Sequence, residues 1–192
     1  MIKTIKGKGN SILCNGYQIG SVVIDAPLNS IPPKADLLII THSHCDHFYG
    51  AENYPFKKAA SRYAMRAINS KDDNSCLCSY IGLNFPKITI DSSLDDGDIL
   101  NYGNHIFEII STPGHCESSI CIYEQKTRSL FSGDTIFPDY NLPRTDLPSS
   151  NFEKLKNSYE KLSTFDIDTI YPGHGKEIKE KEYIKKLMEF LI

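Results

Sequence analysis

Residues 37–47, which read LLIITHSHCDH, run from a short apolar segment directly into a cluster of side chains that commonly bind metals. The apolar run at 37–40 reads as a buried strand. His42 and His44 are two residues apart, so at the end of a strand both imidazoles point to the same face. Asp46 and His47 follow after the chain has turned, and they can reach a neighbouring point. We therefore expect metal chemistry where this strand ends.

Three further motifs repeat this arrangement of a strand followed by a ligand. TPGH at 112–115 follows FEII, SGDT at 132–135 follows SLF, and YPGHG at 171–175 follows IDTI. They place His115, Asp134 and His174 at the ends of predicted strands. Open α/β sheets carry their chemistry at such strand ends.

The residue types in these motifs favour a site for two metal ions. Imidazole nitrogens and carboxylate oxygens suit zinc and related divalent ions. Two histidines from one motif and a third from elsewhere leave a coordination position open, as catalytic zinc requires. A second cluster close by permits a bridging ligand and a shared hydroxide. The alternative of ordinary surface or core histidines is disfavoured because four motifs occur together in this order.

The order H-x-H-x-D-H, P-G-H, S-G-D-T, P-G-H-G resembles the metallo-β-lactamase-fold hydrolase superfamily, most closely its hydroxyacylglutathione hydrolase (glyoxalase II)-like branch. The resemblance begins at residues 9–11 and reaches the last motif, and RTDLP at 144–148 is similar to a segment common in that branch. It implies one domain over residues 1–192. It also implies an α/β fold, the four-layer αβ/βα sandwich, with the metal site at one edge between the sheets.

The same resemblance implies two divalent metal ions, with zinc as the first choice and iron or manganese as alternatives. The implied ligands form two sets with one shared residue: His42, His44 and His115 for the first ion, Asp46, His47 and His174 for the second, and Asp134 as the bridge. Asp25 resembles a family position near the metal histidines. It is expected either to hydrogen-bond an imidazole or to be an ordinary carboxylate at a strand end.

The predicted chemistry is hydrolysis of a small-molecule thioester or a related activated ester. Two ions lower the pKa of a bound water, and the bridging hydroxide attacks a carbonyl that one ion polarises. Asp46 is the predicted catalytic residue, because it can also orient the hydroxide. No motif offers a dedicated acid for a poor leaving group, and a thiol with a pKa of about 8.5 needs little such help. Chemistry and resemblance together favour a 2-hydroxyacyl thiol ester.

The loop at 136–150 is the candidate substrate-binding segment, because it follows Asp134 and its three prolines discourage regular structure. Tyr140 and Arg144 are the residues expected to touch substrate. In the alternative, Arg144 pairs with Asp146 and holds the loop in shape.

Glutathione recognition is not carried over from the resemblance. FPDYN at 137–141 stands where glyoxalase II enzymes have a lysine- and aromatic-rich glutathione segment. Only a short helix is predicted after His174, where full-length enzymes have a helical extension.

Three rival functions remain open. Two are enzymes on the same fold, a persulfide dioxygenase with one iron and a lactonase. The third is a non-catalytic binding module, which the retention of every implied ligand disfavours.

Composition agrees with a globular enzyme. The chain has 192 residues, 40% hydrophobic and 23% charged, with a net charge of -3 that offers no electrostatic case for nucleic acid binding. The absence of a long apolar run or signal-peptide pattern predicts a cytoplasmic protein with no membrane partner. Stable disulfides between its six cysteines are not expected there. Oligomeric state is not indicated.

Helices are predicted at four places. Phe152, Leu155, Tyr159 and Leu162 step by three and four, as on an amphipathic helix that Asn151 would cap. Further helices are expected at 46–53, 62–69 and about 179–190, and a second series of strands is expected from Ile88.

Overall fold

The computed structural model describes residues 1–8 and 14–191, so the part of the resemblance at residues 9–11 lies outside the described residues. Within them the chain forms two β-sheets. The first contains, in spatial order, β1 (Ile2–Lys6), β2 (Asn15–Ile19), β3 (Val22–Ile24), β4 (Leu37–Ile40), β5 (Lys57–Ser61) and β6 (Ser92–Leu94). The second contains β7 (Ile99–Tyr102), β8 (His105–Ser111), β9 (Ile120–Glu124), β10 (Ser129–Gly133) and β11 (Thr169–Pro172), in the spatial order β11-β10-β9-β8-β7.

Short helices connect and cover the sheets. They are α1 (Cys45–Phe48), α2 (Arg62–Ser70), α3 (Asp73–Cys76), α4 (Phe152–Leu162) and α5 (Tyr183–Glu189), with 3-10 turns at Tyr49–Asn53 and Ser79–Ile81. In the described part of the chain, no helix is long and apolar enough to cross a membrane.

Alternating side chains on the central strands divide the core into three apolar clusters. Leu38 packs in one cluster with Ile68 of α2, whereas its neighbour Ile39 packs with Phe131 of the second sheet. On β10, Leu130 faces the other way and joins a cluster with α4 and α5. Each central strand is thus buried on both faces, by the other sheet and by helices. This is the predicted four-layer αβ/βα sandwich.

Several predicted elements are confirmed, and two differ. The strand at 37–40 is present, and α4 begins as expected, with the Asn151 side chain accepting from Lys154 N at 2.9 Å. The strand expected from Ile88 begins only at Ser92, because Ile90 N donates to the Asn69 side chain instead of a strand. The last helix is shorter than predicted, because Ile178 still pairs with Ile170 of β11.

The expectation of no disulfide is wrong. Cys45, in the first turn of α1, is bonded to Cys78, which follows α3, and the two Cα atoms are 5.1 Å apart. Both cysteines are fully buried, so the pair lies inside the protein beneath the helices. The bond fixes the segment after α3 against the helix that carries Asp46 and His47.

Strand direction brings the four motifs to one edge. β8 and β10 are both antiparallel to β9, and β10 is parallel to β11, so all three strands that precede motifs in the second sheet run the same way. β4 is parallel to β3 and β5 in the first sheet. Ile120 N donates to Thr41 O at 2.9 Å and joins the sheets beside the first motif. The site is therefore built where strands from both sheets end.

Candidate metal centre

The structure brings the seven predicted ligands together at this edge. Their ligand atoms form three groups, each within 4.8 Å: His42, His44 and His115; Asp46, His47 and His174; and His42, His47 and Asp134. The first two groups match the two predicted sets, and the third contains the predicted bridge.

Asp134 lies between the two sets. Its Oδ1 is 3.2 Å from His47 Nε2, and its Oδ2 is 3.7 Å from His115 Nε2 and 3.5 Å from His174 Nε2. Ligands about 2.1 Å from a tetrahedral ion lie roughly 3.4 Å from one another. These separations therefore suit a cation on each side of the carboxylate.

Hydrogen bonds at Nδ1 fix which ring nitrogen of two histidines faces the cluster. His115 Nδ1 donates to Arg144 O at 3.0 Å, because a carbonyl oxygen can only accept. His47 Nδ1 donates to Asp25 Oδ2 at 2.8 Å. Nε2 of both rings therefore lies toward the Asp134 carboxylate, 3.2 Å from Oδ1 for His47 and 3.7 Å from Oδ2 for His115. A cation placed there would be bound by the carboxylate together with these ring nitrogens.

His42 is oriented in the same way, through Thr41. Thr41 Oγ1 donates to Asp25 Oδ2 and so accepts from His42 Nδ1 at 3.1 Å, which leaves His42 Nε2 bare. His44 Nδ1 lies 2.9 Å from His115 Nε2. Burial lowers the pKa of His44 to about 3, so its ring is neutral and able to donate a lone pair to a metal.

Unpartnered buried atoms concentrate in this cluster. In residues 1–8 and 14–191, the buried side-chain atoms without a hydrogen-bond partner are Nε2 of His42, His44 and His47 and Oδ1 of Asp134. Leaving such atoms unpaired is costly unless something binds them. Burial opposes protonation of His47, yet the surrounding negative groups hold its pKa well above the usual range. The same field attracts divalent cations, and the donor set fits them.

Residues 27–174 match the family model of the metallo-beta-lactamase superfamily. The chain belongs to the metallo-beta-lactamase superfamily. It is 35% identical over 150 residues to a protein named probable metallo-hydrolase from Methanocaldococcus jannaschii, covering 73% of this chain and 69% of that one. It is 30% identical over 142 residues to the hydroxyacylglutathione hydrolase of Francisella philomiragia, covering 73% of this chain and 50% of the relative. The chain thus spans half the length of that hydrolase.

A solved structure of the superfamily has the same fold. BLEG-1 B3 metallo-beta-lactamase superposes with a TM-score of 0.80 at 22% identity, covering 100% of this chain and 99% of that one. Family membership and the cluster of histidine and aspartate side chains together identify a metallo-hydrolase.

Asp25 is a buried carboxylate that hydrogen-bonds residues of the cluster on the side away from Asp134. It accepts from Thr41 N and Thr41 Oγ1, each at 2.8 Å, and from His47 Nδ1. Of the two roles left open by the sequence, hydrogen bonding to an imidazole is the one observed. Asp25 therefore orients His47 directly and His42 through Thr41.

Asp25→Asn is expected to weaken zinc binding about 10- to 100-fold, the usual effect of losing a group that orients a metal ligand. An amide has one acceptor oxygen and cannot accept from both Thr41 and His47 as the carboxylate does. Competition with a chelating dye measures the affinity. Asp36→Asn, on an exposed residue before β4, is the matched control. Equal zinc affinity in Asp25→Asn and Asp36→Asn would refute this role.

Asn15 and Tyr17 hydrogen-bond the loop that carries His174, a contact that the motifs did not reveal. Asn15 N donates to Gly173 O at 2.6 Å, and its side chain donates to Pro172 O and Gly175 O, each at 3.0 Å. Tyr17 Oη donates to Pro172 O at 2.7 Å. Strand β2 thus holds the His174 loop against the first sheet. Only the fold brings residues so distant in sequence together.

Tyr140 does not lie at the cluster. Its ring stacks on Tyr183 of α5 at 4.6 Å, and its hydroxyl donates to Glu180 at 2.8 Å. Asp139 and Tyr140 both have positive φ, which turns the chain toward α5. This position does not support the predicted substrate contact.

Arg144 lies in the wall of the cavity beside the cluster, but its charge is already paired. Its guanidinium donates to both carboxylate oxygens of Asp146 at 2.8 Å and to Tyr80 Oη at 3.2 Å. This is the alternative that the sequence left open. The backbone oxygen of Arg144 also orients His115, so the loop serves the metal site through its shape.

Proposed function

We propose that this metallo-hydrolase cleaves a thioester or a related activated ester at a centre of two divalent metal ions, zinc being the first choice. The observation that carries the proposal is the convergence of two ligand sets on Asp134, with four buried donor atoms that have no other partner. One tetrahedral or octahedral ion cannot accept seven ligands together with a water.

The chain's own residues divide the work. His42, His44 and His115 would hold one ion, Asp46, His47 and His174 the other, with Asp134 shared between them. Two bound ions supply the acidity that makes hydroxide available near neutral pH. Asp46 Oδ2 is 3.2 Å from His174 Nε2 and borders the cavity, so Asp46 can accept a hydrogen bond from the attacking water and orient it.

The cavity also favours a good leaving group. Apart from the proposed ligands, its described lining residues include no carboxylate and no imidazole to protonate a departing group. A thiolate leaves without such help, since thiols have a pKa of about 8.5. The name of the Francisella relative, a hydroxyacylglutathione hydrolase, supports the same chemistry.

Metal analysis together with a substrate panel tests the proposal. The wild type is expected to bind two ions and to hydrolyse thioesters. His174→Ala is expected to keep one ion and to lose more than about 100-fold in hydrolysis rate, because only one of the two ions that would activate the attacking water remains. His105→Gln, a histidine of β8 bonded to Glu124 away from the cluster, is the control.

The rival functions predict different readouts. One iron per chain in both wild type and His174→Ala, with oxygen consumption on glutathione persulfide and no thioester turnover, would replace the proposal by a persulfide dioxygenase. Turnover of lactones alone would replace it by a lactonase.

A further inference from the structure

The cavity above the proposed metal centre has a polar floor and an apolar wall. It measures about 300 Å³, and its floor is formed by His44, Asp46, His115 and Asp134. Its wall comes from two segments. Leu77, Tyr80 and Ile81 lie on one side, and Phe137, Leu142, Arg144 and Leu147 on the other, with Cys45 beneath.

The wall offers no free charge to a substrate. Arg144 is the only cation among the described residues that line the wall. Its Nε and one terminal nitrogen both donate to the Asp146 carboxylate. The remaining contact goes to Tyr80 Oη. Because the Asp146 carboxylate already neutralises the guanidinium, Arg144 attracts a substrate carboxylate less than an unpaired arginine would, so the wall does not favour anionic acyl groups.

Both wall segments are fixed relative to the metal ligands. The Cys45–Cys78 disulfide holds Leu77 and its neighbours beside α1. The hydrogen bond from His115 Nδ1 to Arg144 O holds the other segment. The hydrogen bond from the Arg144 guanidinium to Tyr80 Oη joins the two segments. The cavity is thus formed before substrate arrives, which lowers the entropic penalty of binding.

We propose that this cavity receives an aliphatic acyl group of medium length, so that the substrate class is medium-chain acyl thioesters. The inference rests on the proposed thioester hydrolysis. At about 30 Å³ for each small group, the volume holds roughly ten non-hydrogen atoms. With the thioester group placed over the floor, an acyl chain of six to eight carbons fills the rest, at roughly the same volume for each carbon.

A series of N-acetylcysteamine thioesters tests the acyl preference, because the small neutral carrier leaves the acyl group as the variable. From acetyl to butyryl to hexanoyl, kcat/KM is expected to rise about fourfold per methylene, the factor for burying one CH₂. Lactoyl thioester is expected to be the poorer substrate by at least about tenfold against hexanoyl. Equal rates across the series, or a preference for lactoyl, would overturn the inference.

Two variants locate the effect. Leu142→Asp is expected to remove the hexanoyl preference without harming the fold, because Leu142 is 39% exposed. Ile99→Asp, on an edge strand and 48% exposed, is the matched control and should keep the preference. Asp146→Asn frees Arg144, so it is expected to raise kcat/KM for succinyl against butyryl thioester. An unchanged ratio of the two kcat/KM values would show that the ion pair with Asp146 does not keep Arg144 from binding a substrate carboxylate.

Product binding separates this inference from the proposed function. Calorimetry on the zinc-loaded protein is expected to give tighter binding of hexanoate than of lactate, with the difference lost in Leu142→Asp. If the carboxylates bind in this order but no thioester is hydrolysed, the proposed function fails and the apolar cavity stands. If thioesters are hydrolysed but hexanoate and lactate bind equally, the acyl inference fails and the proposed function stands.

Discussion

Asp134→Asn is expected to empty both metal positions and to lower hydrolysis by more than about 100-fold, beyond the effect of losing a group that only orients a ligand. The carboxylate reaches both ligand sets: Oδ1 faces His47 of one set, and Oδ2 faces His174 of that set and His115 of the other. An amide keeps one weak acceptor and turns a donor toward bare nitrogens or a cation. The negative charge of the Asp134 carboxylate, which would attract both ions, is also lost.

Metal content and thioester turnover, measured on the same sample, check this expectation. Asp139→Asn is the matched control, since Asp139 is exposed in the same loop and has a φ of 58°, a conformation that asparagine tolerates. Full metal content and normal turnover in Asp134→Asn would remove this residue from the site.

Gly173→Ala is expected to damage the centre without changing a ligand. An added Cβ would overlap Asp134 Oδ1 and lie 2.6 Å from His47 Cε1. The backbone cannot move aside, because Gly173 N donates to Gly133 O at 2.7 Å and Gly173 O accepts from Asn15 N at 2.6 Å. The carboxylate or the imidazole must shift instead, and zinc affinity should fall at least about tenfold.

The control for Gly173→Ala is Gly82→Ala. Gly82 has a φ of +76°, so alanine is strained there, but no atom lies within 4 Å of the added carbon. Thermal unfolding of the zinc-free proteins measures the general penalty, and zinc titration measures the site. A zinc affinity for Gly173→Ala that equals the wild-type value would show that the loop can accommodate the added Cβ, contrary to this prediction.

The sequence predicted that the candidate ligands lie at strand ends, because each motif follows an apolar run, whereas their division into two sets came from the family resemblance. The apolar run before His42 indicates a strand buried on both faces, and the Pro-Gly and Ser-Gly pairs before the other ligands end their strands. Because those strand ends lie at one edge of the sheets, the ligand side chains that follow them are close together. The layer order, in contrast, was predicted from family resemblance, which carries information that local patterns lack.

Contacts between distant segments were beyond local reasoning. Nothing near Asn15 indicates that it bonds to the loop of His174, and Tyr140 could not be assigned without knowing that Tyr183 lies beside it. The Cys45–Cys78 bond was missed for a related reason. Cellular compartment was used to exclude disulfides, whereas their geometry depends on two backbones meeting inside the fold.

The hydrogen bonds between the sheets have a consequence for how defects in this protein should be interpreted. His42 follows the first sheet and Asp134 the second, and the two belong to one ligand group. The hydrogen bonds from Asn15 N to Gly173 O and from Ile120 N to Thr41 O hold the sheets together beside it. Ions bound there would join the two halves of the chain, and their binding free energy would add to the stability of the whole fold. A substitution far from the centre that loosens the sheets would therefore first be seen as poor metal retention. Loss of metal in a variant is consequently weak evidence that the altered residue is a ligand.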